Sequence, residues 1–288
     1  MKWRGQRESS NVEIGSSSGG RGGGLKMGLG GIVLVVILGL IMGKNPMEML
    51  GLVAQMESGA RPVANTPADP NAPVTEEQQF SKVVLASTED VWGRIFSASG
   101  EQYPAPTMVL FSGAVQSACG GATSAVGPFY CPGDRKVYLD TQFFDEMTAK
   151  LGGGGDFAQA YVIAHEVGHH IQTLTGVSDQ VNKVRARGGT VEGDGGLLVR
   201  QELQADCYAG LWAHYAQQEK QWMEPGDLEE AINTAQAIGD DTLQRQSRGT
   251  VVPDSFSHGS AEQRMRWFRR GFDSGDFGQC DTFKAASL

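Results

Sequence analysis

The sequence has few cysteines and no excess of basic residues, and each shortage excludes a class of protein. Four cysteines among 288 residues are too few for a disulfide scaffold but enough for two disulfides. They form no C-x-x-C pair, which argues against a structural zinc cluster. Lys and Arg number 24 against 33 Asp and Glu, so the basic face of a nucleic-acid-binding protein is missing. With 40% hydrophobic and 20% charged residues, the composition excludes disorder of the whole chain.

Long apolar runs are also scarce, and the clearest is 27–43, MGLGGIVLVVILGLIMG. As a helix rising about 1.5 Å per residue it would reach about 25 Å, the short end of what spans a bilayer. Five basic residues precede it, and no small-residue cleavage site follows it directly. We therefore expect an uncleaved transmembrane anchor with the amino terminus in the cytoplasm. A cleaved signal peptide and a buried core helix are the alternatives.

The anchor divides the chain into four predicted segments. Residues 1–26 form a basic, Gly/Ser-rich, strand-free cytoplasmic tail, and residues 27–43 form the anchor. Residues 44–75 form a Pro/Ala-rich linker, because four prolines between Ser58 and Thr75 favour an extended tether. Residues 76–288 form one folded domain, which this topology places in the periplasm or outside the cell.

Hydrophobic periodicity predicts a helix-rich α+β fold for that domain. A helical pattern begins just after Thr75, and β-like runs follow at 107–111 and 136–140. Helical patterns return from about residues 140, 156, 197 and 262. Helices therefore outnumber strands.

The chemistry concentrates in the segment from Asp156 to Gly176, which is predicted to be a helix with an N-cap at its start and a C′ glycine at its end. His165, Glu166 and His169 form an H-E-x-x-H pattern within it. Residues four apart share a helix face, so the two histidines can bind one metal ion. Glu166 lies about 100° round the helix, where a general base acting on water is needed. The alternative is a helix with two surface histidines and a solvated glutamate. We interpret the adjacent His170 as structural.

A catalytic zinc site needs a third protein ligand and an open position. The H-E-x-x-H-x-x-G-x-x-H continuation is missing, because position 175 is Thr. Thirty-three residues beyond His169, Glu202 and Asp206 lie four apart on one predicted helix face. We expect Glu202 on the metal and Asp206 hydrogen-bonded to the far nitrogen of a ligand histidine. A solvated acidic face is the alternative. Ala209 and Ala213 continue that face, and their small side chains would allow two helices to approach closely.

Several motifs together resemble a known family. HEVGHH, RQELQADCYAGLWA and SHGSAEQRMRWF, in that order, resemble the bacterial putative neutral zinc metallopeptidase family of YpfJ-like proteins. The segment Cys119–Asp140 and the opening MKWRGQRESSNVE resemble it too, so the resemblance covers the termini and most of residues 76–288. The wider gluzincin group is similar in its H-E-x-x-H plus E-x-x-x-D combination. The resemblance implies a membrane-anchored zincin-like fold, one Zn2+ per chain held by His165, His169 and Glu202, and Glu166 as the base.

Two further groups of residues complete the prediction. We expect His258 to donate to the developing oxyanion, with Arg264 orienting it, although a histidine that merely flanks a helix is equally compatible. Export favours disulfides pairing Cys119 with Cys131 and Cys207 with Cys280, and four reduced thiols are the alternative. His214 is assigned to packing or to the surface.

The predicted function is hydrolysis of peptide bonds by a membrane-anchored zinc metallopeptidase with a polypeptide or peptide substrate. Two other functions stay open at this point. One is a non-catalytic exported module with a structural zinc, and the other is hydrolysis of a non-peptide amide such as a cell-wall bond.

Overall fold

The computed structural model describes residues 1–15, 73–123, 126–141, 143–144, 147 and 155–288. The predicted anchor at 27–43, all but the end of the linker at 44–75, and most of the helix predicted from about 140 lie outside the described residues. Within them, no helix combines the length and apolarity that a membrane crossing requires. The chain divides into two compact units, which we call the helical unit and the strand unit.

The helical unit comprises Met1–Asn11, Thr75–Pro106 and Phe144–Leu288. Its described helices are α1 (Glu76–Ala98), α2 (Asp156–Leu174), α3 (Val177–Ala186), α4 (Leu197–Lys220), α5 (Asp227–Ala237), α6 (Asp240–Arg248) and α7 (Ala261–Ser274). Short 3-10 turns follow at Pro253–Ser255 and Phe277–Cys280. Four tryptophans are fully buried in this unit, at positions 92, 212, 222 and 267.

The strand unit contains all six described strands: β1 (Val12–Ile14), β2 (Thr107–Phe111), β3 (Ala114–Ser117), β4 (Gly120–Thr123), β5 (Phe129–Cys131) and β6 (Lys136–Asp140). A four-stranded sheet has the order β1-β2-β6-β5, with β5 antiparallel to β6 and the other pairs parallel. Strands β3 and β4 form a separate antiparallel pair. Phe129 stacks on Tyr138 with ring centroids 4.8 Å apart, and the Cys119–Cys131 disulfide lies beside this small core.

The fold confirms the helix-rich α+β prediction and the bounds of both predicted strands, 107–111 and 136–140. It also confirms helices starting close to residues 76, 156, 197 and 262. The strand-free interpretation of the amino-terminal tail is wrong, because Val12–Ile14 pairs with β2 as β1. Asp156 is the first residue inside α2 and not its N-cap, a position that Gly155 occupies. The predicted glycine after the helix is present as Gly176, with φ of 79°.

The first eleven residues are a folded part of the helical unit. Trp3 is only 2% exposed and meets Phe80 of α1 edge to face at 5.3 Å. Its indole N–H donates to Asp156 Oδ2 at 2.9 Å, at the start of α2. Arg7 pairs with Glu89 and Asp90 farther along α1. The amino-terminal segment therefore covers the apolar face of α1, whose own start is fixed by a capping box at Thr75.

Glycines allow the central helices of this unit to approach closely. A Cβ on Gly271 of α7 would lie 1.9 Å from the carbonyl oxygen of Cys207, so only glycine allows α7 to lie this close to α4. Gly168 of α2 makes a similar but less tight approach to Ala205 of α4. Ala209 and Ala213, predicted to allow close approach, are fully buried. This packing sets the distance between the two helices that carry the predicted metal ligands.

Candidate metal centre

Three predicted ligands converge between α2 and α4. His165 and His169 lie one turn apart on α2, and Glu202 lies in the second turn of α4. His165 Nε2 is 3.2 Å from Glu202 Oε2, and His169 Nε2 is 3.6 Å from Glu202 Oε1. One potential ligand atom from each residue lies within 4.8 Å of the other two. The three predicted ligands, separated in the sequence, thus form one compact group of nitrogen and oxygen donors.

The donor set fits zinc. Each histidine has its Nδ1 engaged behind the site, His165 with Asp206 at 2.8 Å and His169 with Gln172 at 2.9 Å. With Nδ1–H donating, each Nε2 keeps its lone pair for the side that faces Glu202. Two imidazole nitrogens and one carboxylate form a three-ligand set that leaves a fourth position open on tetrahedral zinc.

Asp206 belongs to a buried polar cluster behind His165. The Arg264 guanidinium donates to both carboxylate oxygens of Asp206, at 2.9 and 3.0 Å, and the Tyr161 hydroxyl donates at 2.6 Å. Burial alone raises the pKa of Asp206, but the charges of Arg264 and His165 outweigh it and lower that pKa to about 2. Asp206 therefore stays ionised and fixes the ring of His165. The predicted role of Asp206 agrees with this geometry.

The prediction that Arg264 orients His258 is wrong. In the part of the chain that the structure describes, the Arg264 hydrogen bonds reach Asp206, the Tyr161 hydroxyl and the carbonyl of Ile238. The physical reason is burial. Arg264 is 3% exposed, and a guanidinium at that depth needs the carboxylate of Asp206 as a counterion.

Glu166 lies next to His165 on α2 and is 8% exposed. Burial raises the pKa of its carboxyl group, and the charges of His169 and His165 oppose the rise only in part. Glu202 behaves in the opposite way. Burial raises its pKa, but the charge of His169 and hydrogen bonds from both histidines lower it well below the ordinary value. The two glutamates are thus electrostatically distinct, one an ionised partner of the histidines and the other with a raised proton affinity.

The comparisons with known proteins agree with this centre. The family profile described as "Putative neutral zinc metallopeptidase" matches residues 1–283. The chain belongs to this family. The match begins at the first residue, so it includes the amino-terminal segment that packs on α1. We therefore interpret the group of His165, His169 and Glu202 as the metal site of a member of this zinc metallopeptidase family.

Two proteins from bacteria are similar to this chain over much of their length. The "Uncharacterized protein YpfJ" of Escherichia coli strain K12 is 47% identical over 291 residues, covering 98% of this chain and 99% of that protein. The "Uncharacterized protein Rv2575" of Mycobacterium tuberculosis strain H37Rv is 46% identical over 212 residues, covering 70% of this chain and 69% of that protein. No solved structure matches the chain.

His258 lies outside the three-residue group but within its electrostatic reach. Its side chain is 53% exposed, and its Nδ1 is 3.3 Å from Asp240 Oδ1. The other oxygen of Asp240 accepts the backbone N–H groups of Ser257, His258 and Gly259 at 2.7, 2.7 and 3.0 Å. The charge of His258 is one of the factors that lower the pKa of Glu202. Asp240, the first residue of α6, thus fixes both the backbone of residues 257–259 and the imidazole of His258.

The two remaining histidines are structural, as predicted. His170 is 1% exposed, donates through Nε2 to the Pro104 carbonyl at 2.7 Å and meets Tyr103 edge to face. His214 donates through Nδ1 to the Phe272 carbonyl at 2.7 Å. Both therefore tie helices to neighbouring chain segments.

Both predicted disulfides are present, between Cys119 and Cys131 in the strand unit and between Cys207 and Cys280 in the helical unit.

Two residues of the site, Gln172 and Asp240, were not predicted from the sequence. Gln172 lies three residues after His169, and side chains at that spacing on a helix can contact each other. This spacing could have indicated that Gln172 supports His169. Asp240 had no such signal, because it reaches His258 from another helix.

Proposed function

We propose that the protein is a zinc-dependent metallopeptidase that hydrolyses peptide bonds. One observation carries the proposal: two imidazole Nε2 atoms and the Glu202 carboxylate meet at one point, with the buried Glu166 beside them. A structural zinc has no use for a carboxylate of raised pKa adjacent to its ligands. A hydrolase needs such a carboxylate, because the water molecule must lose a proton as it attacks the scissile carbonyl.

Zinc bound by His165, His169 and Glu202 would polarise the scissile carbonyl and lower the pKa of water toward neutrality. The side chains behind the ligands fix them for that task. Asp206 and Gln172 each accept the Nδ1–H of a histidine and so hold both rings in the tautomer with Nε2 free.

Glu166 is the general base of the proposed reaction. Its carboxylate takes a proton from the attacking water and delivers it to the leaving amine. In the metal-free chain burial raises the pKa of this carboxyl group, and a buried carboxylate next to the ligands is suited to accept a proton and release it again. His258 donates to the oxyanion that develops on the carbonyl, from an imidazole held by Asp240. Its half-exposed side chain leaves it accessible to a substrate.

The deciding experiment compares the purified full-length protein with its Glu166→Gln variant. The full chain is needed because Trp3 packs on Phe80, and a fragment starting at residue 76 would lose that cover. Zinc content and cleavage of casein are measured in parallel. One zinc per chain in both proteins, with cleavage by the parent alone, is the expected result.

Other outcomes separate the alternatives. Zinc in both proteins without cleavage by either overturns the peptidase proposal and leaves a structural zinc or a non-peptide amide as substrate. Cleavage by both proteins overturns the role of Glu166. Absence of zinc from both overturns the metal site itself. A His258→Ala protein that retains its zinc should lose kcat, and an unchanged kcat would remove His258 from the mechanism.

We further propose that the protein works outside the cytoplasm, attached to the membrane through residues 27–43. The two disulfides support this proposal, because disulfides persist in oxidising compartments. Recovery of the protein with the membrane fraction after a high-salt wash is expected. Recovery in the soluble fraction would contradict the attachment.

A further inference from the structure

A chain of side-chain amides runs from His169 to the carboxyl-terminal segment. Gln172 Oε1 lies 2.9 Å from His169 Nδ1. Gln172 Nε2 donates to the Gln201 carbonyl at 2.6 Å and to Gln204 Oε1 at 3.1 Å. Gln204 Nε2 in turn donates to the Cys280 carbonyl at 3.1 Å. We call Gln172 and Gln204 the amide relay.

The hydrogen bonds of the amide relay have a fixed direction. Both glutamines are buried, with Gln172 at 0% and Gln204 at 4% exposed, so water cannot replace a lost partner. Gln172 gives its N–H groups to two acceptors on α4, which turns its oxygen toward His169. An oxygen at that position accepts a hydrogen bond from His169 Nδ1–H, so the neutral ring is held in the tautomer whose Nε2 lone pair faces Glu202. The relay therefore does for His169 what Asp206 does for His165, with a neutral amide in place of a carboxylate.

The far end of the relay depends on a covalent link. Cys280 is joined to Cys207 of α4, five residues after Glu202. The segment after Cys280 is also tied to α4, since the Thr282 hydroxyl donates to the Arg200 carbonyl at 2.5 Å. Arg200 Nη1 donates to the Ala285 carbonyl at 3.1 Å. The disulfide thus sets the position of the carbonyl that orients Gln204.

We propose that Gln172 is a positioning residue for zinc, and that Gln204 couples the affinity of the metal site to the Cys207–Cys280 disulfide. The inference rests on the proposed function only in taking His169 as a zinc ligand. It assigns no contact with substrate to either glutamine. Its measurable consequence is zinc affinity, which does not require peptidase activity.

The first test replaces single glutamines by methionine, which keeps the length of the side chain and removes its hydrogen bonds. Zinc dissociation constants are measured on the full-length protein by competition with a chromophoric chelator. Outer hydrogen-bond partners of metal ligands typically contribute about 10- to 100-fold in affinity, and we expect a loss of that size for Gln172→Met. Gln204→Met should lose about tenfold, at the lower end of that range.

Gln201→Met is the matched control, because this amide neighbours the relay on α4 and its side chain bonds Ser178 instead. Equal affinities for the Gln204 and Gln201 variants would overturn the proposal. Nitrogen NMR of the His169 ring provides a second readout in zinc-free protein at a pH above the His169 pKa of about 9, where the ring is neutral and Gln172→Met should add the Nε2–H tautomer. An unchanged tautomer would also overturn it. Wild-type protein that binds no zinc would overturn the proposed function, and the NMR result would still decide the relay.

The second test measures the coupling to the disulfide. Replacing Cys207 and Cys280 by serine should weaken zinc binding, and adding Gln204→Met should then cause no further loss. Independent losses that add would overturn the coupling. Replacing the Cys119–Cys131 pair is the control for disulfide loss as such. If the Cys207 and Cys280 variant fails to fold by circular dichroism, the comparison of Gln204→Met with Gln201→Met decides the proposal.

A second inference rests on a separate observation, the packing of the amino-terminal segment. A segment that crosses a membrane once leaves the residues before and after it on opposite sides. Trp3 is nevertheless buried against Phe80, and Arg4 pairs with Glu76. Backbone hydrogen bonds also join β1 to β2. We infer that residues 1–15 lie in the same compartment as the folded units, so that membrane attachment through residues 27–43 does not separate the amino terminus from the rest of the protein. This differs from the cytoplasmic amino terminus predicted from the sequence.

Single cysteines test this inference in intact cells. Arg4→Cys and Glu76→Cys both place a thiol at an exposed position, while the four native cysteines are paired. A membrane-impermeant maleimide should label both variants or neither, with permeabilised cells as the control for reactivity. Labelling of one variant and protection of the other would overturn the inference.

Discussion

Replacing Gly168 by alanine should weaken the metal centre through backbone packing alone. Gly168 lies between His165 and His169 in sequence and faces Ala205, three residues after Glu202. A Cβ there would lie 3.0 Å from the Ala205 Cα, 3.1 Å from its carbonyl oxygen and 3.2 Å from its Cβ. These contacts are tighter than ordinary van der Waals packing, and the first two are with backbone. Helices α2 and α4 must therefore separate by a few tenths of an ångström.

The size of the effect follows from two opposing terms. Alanine is favoured over glycine in a helix interior by about 1 kcal/mol. Overpacking a tight interface costs about 1–3 kcal/mol, so we expect a net destabilisation of about 0–2 kcal/mol. Metal–ligand distances tolerate deviations of only about 0.2 Å, so the shift of Glu202 away from both histidines should reduce zinc affinity more clearly than stability.

Gly93→Ala is the matched control, because Gly93 lies within α1 and a Cβ there meets nothing within 4 Å. It should gain the helix propensity without the clash, and so raise the free energy of unfolding by up to about 1 kcal/mol. The assays are urea unfolding and chelator competition. The reasoning is refuted if Gly168→Ala is stabilised as much as Gly93→Ala and binds zinc as tightly as wild type.

Three further predictions concern covalent, acidic and metal contributions to stability. Removing the Cys207–Cys280 disulfide, whose sequence separation is 73, should cost about 4 kcal/mol in urea unfolding, against about 3 kcal/mol for the Cys119–Cys131 disulfide with a separation of 12. Equal or reversed costs would contradict the loop-entropy argument. The Asp206 pKa of about 2 lies below its unfolded value, so about 2 kcal/mol present above pH 4 should be lost as the pH falls toward 2. Urea titrations of metal-free protein should show this loss in wild type and not in Asp206→Asn. Zinc at about a thousandfold excess over its dissociation constant should stabilise metal-free protein by about 4 kcal/mol, and equally in Glu166→Gln, since that residue is not a ligand. A smaller shift in the variant on differential scanning fluorimetry would assign Glu166 to the metal.

The sequence predicted what depends on local periodicity. Strands β2 and β6 alternate or concentrate apolar residues between turn signals, so their bounds could be predicted. Helix spacing likewise placed His165 and His169 on one face. Glu202 could be predicted as the third ligand because Glu202 and Asp206 lie one turn apart on one face of a predicted helix. One carboxylate can then bind the metal while the other supports a ligand histidine.

Other parts of the site depend on contacts distant in sequence. Arg264 was assigned to the nearby His258, although burial commits it to Asp206, 58 residues earlier. Asp240 reaches His258 from the start of another helix, and neither residue indicates the other by spacing. The folded state of the first fifteen residues was missed for a similar reason. Their glycines and charges are typical of a tail, and only the buried Trp3 and the short apolar alternation of β1 argue otherwise.

The position of the amino-terminal segment has a consequence for the order in which the protein assembles during synthesis. Trp3 is synthesised well before its partner Asp156, which follows 153 residues later in the chain. Strand β1 waits for β2 as well, because Val12 pairs with Met108. These contacts raise the contact order of the fold, and closing such long loops is slow. Residues 1–15 are therefore among the last parts of the fold to reach their native positions, and until then the indole of Trp3 stays exposed to chaperones.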